Sequence, residues 1–213
     1  MQSALHRSVF EEGDLLAFCF FVSKMPESTP TFLMVPGLRD HVPEHWQTLL
    51  QAKLQAQGHK TASVPPLEAD KLSCAARVAA LDKALAAIAG PVILVAHSAG
   101  VMITAHWAKR HARQIHGALL ATPADLERPL PAGYPDHDAI KRNGWLPFPR
   151  QPLPFPSVVA ASRNDPLASF ERVAGMAADW GSRLIDLGDV GHLNPAAGYG
   201  EWPQAESMIN ALR

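Results

Sequence analysis

From residue 31 onward, short apolar runs alternate with longer stretches of helical character. "TFLMV" (31–35), "TASV" (61–64), "VILVA" (92–96), "GALLA" (117–121), "SVVAA" (157–161) and "RLIDL" (183–187) are too short for helices. Most are apolar throughout, as strands buried on both faces are. Between them, residues 43–58, 73–90, 99–112, 167–181 and 203–212 read as helices. Pro43 suits the first helical position, Gly58 stops that helix, and Gly90 ends the next. Short strands separated by helices predict an α/β fold, a doubly wound and mostly parallel sheet with helices on both faces. No repeat or linker divides residues 31–213, which read as one domain.

Two segments break the rhythm. Residues 122–156 have little periodicity and much proline. Long irregular excursions in compact domains are commonly lids or binding loops, and a structural wrap over the sheet edge is the other reading. Tyr134, Trp145, Leu146 and Phe148 would supply an apolar wall in either case. The second segment is residues 1–30, which carry "LLAFCFFV" (15–22). This run is too short to span a bilayer. Glu11, Glu12 and Asp14 precede it where a secretory signal wants positive charge, and no small-x-small cleavage site follows. It is expected to be an N-terminal extension or an extra edge strand. No other segment approaches membrane-spanning length, and the expected location is cytoplasmic.

Composition narrows the picture only a little. The chain has 213 residues, enough for a full core, and is 47% hydrophobic and 18% charged, which excludes a disordered chain. A formal net charge of −1 gives no sign of nucleic-acid or anionic-membrane binding. Cys19 and Cys74 make neither a disulfide framework nor a metal set; both read as free thiols in a reducing compartment.

The candidate chemistry lies where a parallel sheet gathers ligands, beyond the carboxyl ends of its strands. Ser98 follows strand 92–96, Asp165 follows 157–161, and His192 follows 183–187. The order Ser, Asp, His is the one expected when later loops of one sheet serve a strand–nucleophile–helix turn. A serine hydroxyl is a weak nucleophile and needs a base. An imidazole can take its proton and return it to the leaving group, and a carboxylate holds the ring in the right tautomer. The turn reads Ala96-His97-Ser98-Ala99-Gly100, so alanine replaces the first glycine of G-x-S-x-G. The competing reading makes Ser98 a helix cap only. For the oxyanion, the N–H of Ala99 at a helix start is one expected donor. The second comes from "VPGLRDH": Leu38 is chosen because Gly37 lets the backbone turn, with Arg39 or Asp40 as alternatives.

Other acids and histidines are placed elsewhere. Asp125 follows a strand too early in the sheet, Asp186 lies inside a strand, and Asp189 shares a turn with His192. His97 is expected to pack below the turn, and His106, His111 and His116 to be surface or helix-end residues. "HVPEH" (41–45) also fits an inverted zinc-peptidase pattern, H-x-x-E-H, with Glu44 as base. Pro43 between the histidines argues against it, because His41 then falls outside the helix and the ring pair diverges.

The stretches "VPGLRDHVPEHWQ", "VAHSAG", "LPFPSVVAASRNDP" and "LGDVGHLNPAAGYGEWP" resemble the small α/β-hydrolase family that includes retinoblastoma-binding protein nine and bacterial relatives. The resemblance spans Thr31 to the C-terminus. It implies a compact α/β-hydrolase fold with a minimal cap, with Ser98, Asp165 and His192 matching the family's triad and the loop after Pro36-Gly37 its oxyanion loop. Trp202 is expected to buttress the histidine loop. The expected activity is that of a serine hydrolase, cleaving a small ester or amide through an acyl-enzyme without cofactor or metal. The alternative is a catalytically weak binding module on the same fold. The expected partner is a small-molecule substrate, with no nucleic acid and no membrane. No L-x-C-x-E stretch supports a pocket-protein partner, and protein partners stay open.

Overall fold

The computed structural model describes residues 29–39 and 42–213; Cys19 and nearly all of the expected extension over 1–30 lie outside the described residues, as do Asp40 and His41. Six strands form one sheet in the order β2-β1-β3-β4-β5-β6, every neighbouring pair parallel. In chain order the strands are β1 (Thr31–Val35), β2 (Thr61–Ser63), β3 (Val92–His97), β4 (Gly117–Ala121), β5 (Ser157–Ala161) and β6 (Arg183–Asp186). The helices are α1 (Trp46–Ala56), α2 (Cys74–Ala86), α3 (Ala99–Arg110), α4 (His137–Arg142), α5 (Phe170–Trp180) and α6 (Pro203–Asn210). This is the doubly wound parallel architecture that the alternating pattern predicts.

The period of two along each strand divides the core into two layers. Leu33, Val35, Leu94, Ala96, Leu120 and Val159 face one layer, packed with Leu81 of α2, Trp107 of α3 and Met176 of α5. Phe32, Met34, Ile93, Val95, Leu119 and Val158 face the other, packed with Leu50 of α1 and Ile209 of α6. The four middle strands are buried at every residue, which explains why, apart from Thr31, His97 and Ser157 at their ends, they are apolar. The edge strands β2 and β6 are only partly covered and keep polar residues. No helix among the described residues is long and apolar enough to cross a membrane.

Several boundaries differ from the sequence expectation for physical reasons. The first helix starts at Trp46, not Pro43: Nδ1 of His45 accepts the Gln47 N–H at 3.2 Å and so caps it. The second ends at Ala86, short of Gly90. The helix expected from residue 167 starts at Phe170 behind its cap Ser169, because the Asp165 carboxylate takes the Leu167 N–H at 2.8 Å. Within 122–156, α4 was invisible to periodicity at six residues; Asp136 caps it by accepting the Ala139 N–H at 2.6 Å. Of the four apolar residues proposed as a wall, Trp145 and Phe148 are instead core. The Trp145 indole donates to the Leu72 carbonyl at 2.7 Å, and Phe148 meets Trp180 edge-on.

Candidate active site

The chain runs outward from β1 to β2, then crosses back to place β3 on the other flank of β1. Where strand order reverses, the loops leaving β1 and β3 diverge and open a cleft. Gln47 of α1 spans the gap, its amide donating to the carbonyls of Val95 at 2.8 Å and Val35 at 3.3 Å.

Ser98 occupies the sharp turn between β3 and α3. Its backbone is at φ 58° and ψ −126°, a conformation that costs a side-chain-bearing residue about 1–3 kcal/mol. The surroundings impose it. The Ser98 N–H donates to the Ala121 carbonyl of β4 at 3.0 Å. A Cβ on Gly100 would lie 2.1 Å from the Val35 carbonyl oxygen, so glycine is required where α3 passes over the end of β1. The hydroxyl caps nothing, which removes the helix-cap reading.

That hydroxyl lies 2.8 Å from Nε2 of His192. Nδ1 of His192 lies 2.8 Å and 3.0 Å from the two carboxylate oxygens of Asp165. A carboxylate only accepts, so Nδ1 carries the proton and Nε2 is left to accept the serine hydroxyl. The His192 and Asp165 side chains are 5% and 1% exposed, which shields the pair from water. The three residues singled out in the sequence are thus brought together in one hydrogen-bonded chain.

The loops bearing His192 and Asp165 are tied to each other. Asn164 Oδ1 accepts the Gly191 N–H at 2.6 Å and the Ser162 hydroxyl at 3.0 Å, and the Arg163 N–H donates to the Gly188 carbonyl at 2.8 Å. A further tie comes from His97, beside the serine: its Nε2–H donates to the His192 carbonyl at 2.9 Å. The His97 ring lies 4.6 Å from that of His45 and 4.9 Å from that of His192, centre to centre. Burial, followed by the neighbouring His192 and His45, holds the His97 imidazole well below its ordinary pKa. It is a neutral donor under the turn. The sequence placed His97 there but carried no signal of its long-range bond. Trp202, expected behind the histidine loop, packs edge-on against Trp46 at 4.9 Å.

The competing acids are occupied elsewhere. Asp125 is held by Arg172 at 2.7 Å and 3.0 Å, and Asp186 by Arg163 at 2.8 Å, which keeps the Asp186 carboxyl below its ordinary range. Asp189 shares the loop of His192, but the carboxylate on the ring is that of Asp165. His111 ends α3 and stacks on Trp107, and His116 is exposed, both as expected. His106 is not a surface residue: it is buried, with Nε2 3.1 Å from the Trp145 carbonyl, because the 122–156 excursion covers that face of α3. The zinc pattern lacks its helix. His41 is outside the described residues, Pro43 and Glu44 form a turn, and Nδ1 of His45 is taken by its capping bond. No group of three potential metal ligands occurs among the described residues.

Ser98 and His192 lie at the floor of a cleft of about 560 Å³, with Asp165 bonded behind His192. Leu38 and Ala99, the expected oxyanion donors, line the same floor. The loop bearing Leu38 is anchored by Arg77 of α2, which donates to the Leu38 carbonyl at 3.3 Å and the Lys71 carbonyl at 2.9 Å. One wall is apolar and comes from Ala124, Leu126, Leu130 and Tyr134 of the excursion, with Leu167. Sequence reasoning singled out Tyr134 there but not the leucines.

A parallel sheet with a strained serine at its switch point, backed by histidine and aspartate, defines the α/β-hydrolase class. The chain belongs to the serine hydrolase family, whose family model matches residues 32–211. Solved structures agree. A protein described as a YdeN-like hydrolase from Pectobacterium atrosepticum is 29% identical, with 86% of this chain and 92% of that one covered and a TM-score of 0.68. The ydeN gene product from B. subtilis is 18% identical, covering 86% and 98% at a TM-score of 0.67. Mouse alpha/beta hydrolase domain-containing protein 10 is 15% identical, covering 89% and 93% at 0.66. At these lower identities the likeness concerns the fold. No curated protein matches the chain.

Proposed function

We propose that the protein hydrolyses a small ester or amide, as a carboxylesterase-like or small-amide or peptide hydrolase, through an acyl-enzyme on Ser98. Ser98 Oγ attacks the substrate carbonyl carbon while its proton passes to Nε2 of His192. Asp165 accepts from Nδ1 and stabilises the imidazolium that forms. The charge on the former carbonyl oxygen is met by the backbone N–H groups of Leu38 and Ala99. Collapse breaks the bond to the leaving group, which takes the proton from His192. Water then attacks the acyl-enzyme, gives a proton to His192, and the acid departs as Ser98 recovers its own. Side chains and backbone supply the nucleophile, base and electrophilic donors, so the reaction calls for neither cofactor nor metal. A cytoplasmic enzyme with a small-molecule substrate, acting without nucleic acid or membrane, fits this reading.

The observation that carries it is the hydrogen-bonded chain at the turn, 2.8 Å from Ser98 to His192 and 2.8 Å from His192 to Asp165. Rapid mixing with an activated ester such as 4-nitrophenyl butyrate tests it. The expected result is a burst of nitrophenol equal to the protein concentration, followed by steady turnover, and neither phase in Ser98→Ala. Reversible ester binding without nitrophenol release would instead make the fold a binding module.

A further inference from the structure

The cleft is apolar along the excursion, yet among the described residues that line it one, Arg39, carries a permanent positive charge. Arg39 lies directly after Leu38, and its guanidinium carbon lies 4.9 Å from the centre of the Tyr134 ring. Both residues line the cleft. Tyr134 is set in place by a tight turn, its N–H donating to the Pro131 carbonyl at 3.2 Å, and it packs against the core. A guanidinium resting on an aromatic face has its long side chain pinned while its N–H edge stays free for a planar anion. Among the described residues no carboxylate pairs with Arg39, whereas Arg150, Arg163 and Arg172 are each tied to acids.

The other charges near the cleft do not fill that role. Asp165 is bound to His192. Asp125 and Glu127 face Arg172, with Glu127 shared by Arg150. Glu44 also lines the cleft, but it stands next to the cap of α1, where a helix N-terminus favours a negative charge. Among the described residues Arg39 meets the neutral Tyr134 ring and no carboxylate, one residue from the expected oxyanion donor.

From this we infer that Arg39, seated on Tyr134, is a recognition point for a substrate carboxylate a few bonds from the scissile carbonyl. The preferred substrates are therefore anionic esters or amides with an otherwise apolar body. The inference rests on the hydrolytic reading above. The carboxylate can reside on the acyl part or on the leaving group, and the chemistry of recognition is the same.

Two matched ester pairs separate the possibilities. The first compares the mono-4-nitrophenyl ester of glutarate with 4-nitrophenyl butyrate and places the charge on the acyl part. The second compares 4-butyryloxybenzoate with its methyl ester and places it on the leaving group. The readout is the anionic-to-neutral ratio of kcat/KM within each protein, so that a general change in turnover cancels. In the native protein one pair favours the anion. In Arg39→Gln that ratio falls about tenfold, the scale of one charge-assisted hydrogen bond. In Arg39→Glu it inverts, and in Tyr134→Leu it falls part of the way. Ratios that are the same in native and Arg39→Gln protein for both pairs overturn the inference and leave the hydrolytic reading intact.

If none of the esters is turned over, calorimetric binding of the same esters to the Ser98→Ala protein decides. Tighter binding of an anionic ester, lost in the Ser98→Ala/Arg39→Gln double variant, upholds the recognition point while the hydrolytic reading falls. Equal binding of anionic and neutral partners overturns the inference as well.

Discussion

The floor of the cleft and its wall are built on different principles. The floor is made at strand ends. Ser98 follows β3, Asp165 follows β5 and His192 follows β6, and their loops are joined by the buried bond from His97 to the His192 carbonyl and by the bond from the Gly191 N–H to Asn164. The wall is a proline-rich excursion with one short helix. It is pinned to α5 by a charged network in which Arg172 holds Asp125 and Glu127, while Arg150 bridges Glu127 and Asp179. On the proposed mechanism, moving any part of the floor misplaces reacting atoms, where a shift of about 1 Å can cost about a hundredfold in rate. Moving the wall changes what fits. The floor should therefore govern kcat, and the wall KM.

The sharpest way to break this contrast is at His97, which is part of the floor but touches no reacting atom. His97→Leu removes the donor to the His192 carbonyl and should lower kcat about 10- to 100-fold with KM little changed. His97→Gln, whose amide nitrogen can stand where Nε2 stood, should recover most of that loss. A merely space-filling role would instead make Leu and Gln equally poor in kcat, with thermal unfolding shifted in step.

At the wall, Arg172→Met leaves the Asp125 carboxylate, 3% exposed, without its guanidinium. The expected cost is about 1–3 kcal/mol in denaturant unfolding, below that of a fully buried pair because the Arg172 side chain is a third exposed. Its kinetic signature should be a KM raised several-fold at nearly constant kcat. A collapse of kcat with unchanged KM would erase the distinction between floor and wall.

The smallest effect concerns pH. The His97 pKa is depressed in the folded protein, so between its folded value and the unfolded value near 6.5 the unfolded chain binds more protons. Stability is complete above that window and falls as pH drops into it, with a slope of at most about 1.4 kcal/mol per pH unit for one group. Buried His106 adds to it in the same direction. Urea unfolding at pH 7 and pH 5 should show a smaller loss for His97→Gln than for the native chain. An identical loss would mean that His97 contributes nothing to the acid sensitivity.

The same division explains what could be read from the chain. The strands and the order Ser98, Asp165, His192 are legible because buried parallel strands are written as short apolar runs, and the candidate catalytic residues directly follow them. The wall is not. Tyr134 and Trp145 look alike as aromatic residues in a proline-rich stretch, yet one lines the cleft and the other is core, bonded to Leu72. His106 reads as a surface residue of a helix until the excursion folds over it. The cap on α1 was missed because histidine is a rare acceptor for that role, and Pro43 offered the more familiar start. The Gln47 bridge and the Arg77 anchor join residues far apart in sequence, which no local pattern encodes.

The central claim is that Ser98 is an activated nucleophile served by His192 and Asp165. Labelling with a fluorophosphonate probe, with the adduct mapped by mass spectrometry, tests it most directly. The account predicts a single adduct on Ser98 in the native protein, none in Ser98→Ala or His192→Ala, and slowed labelling in Asp165→Asn. A folded native protein that takes up no probe, or takes it up on another residue, would contradict it.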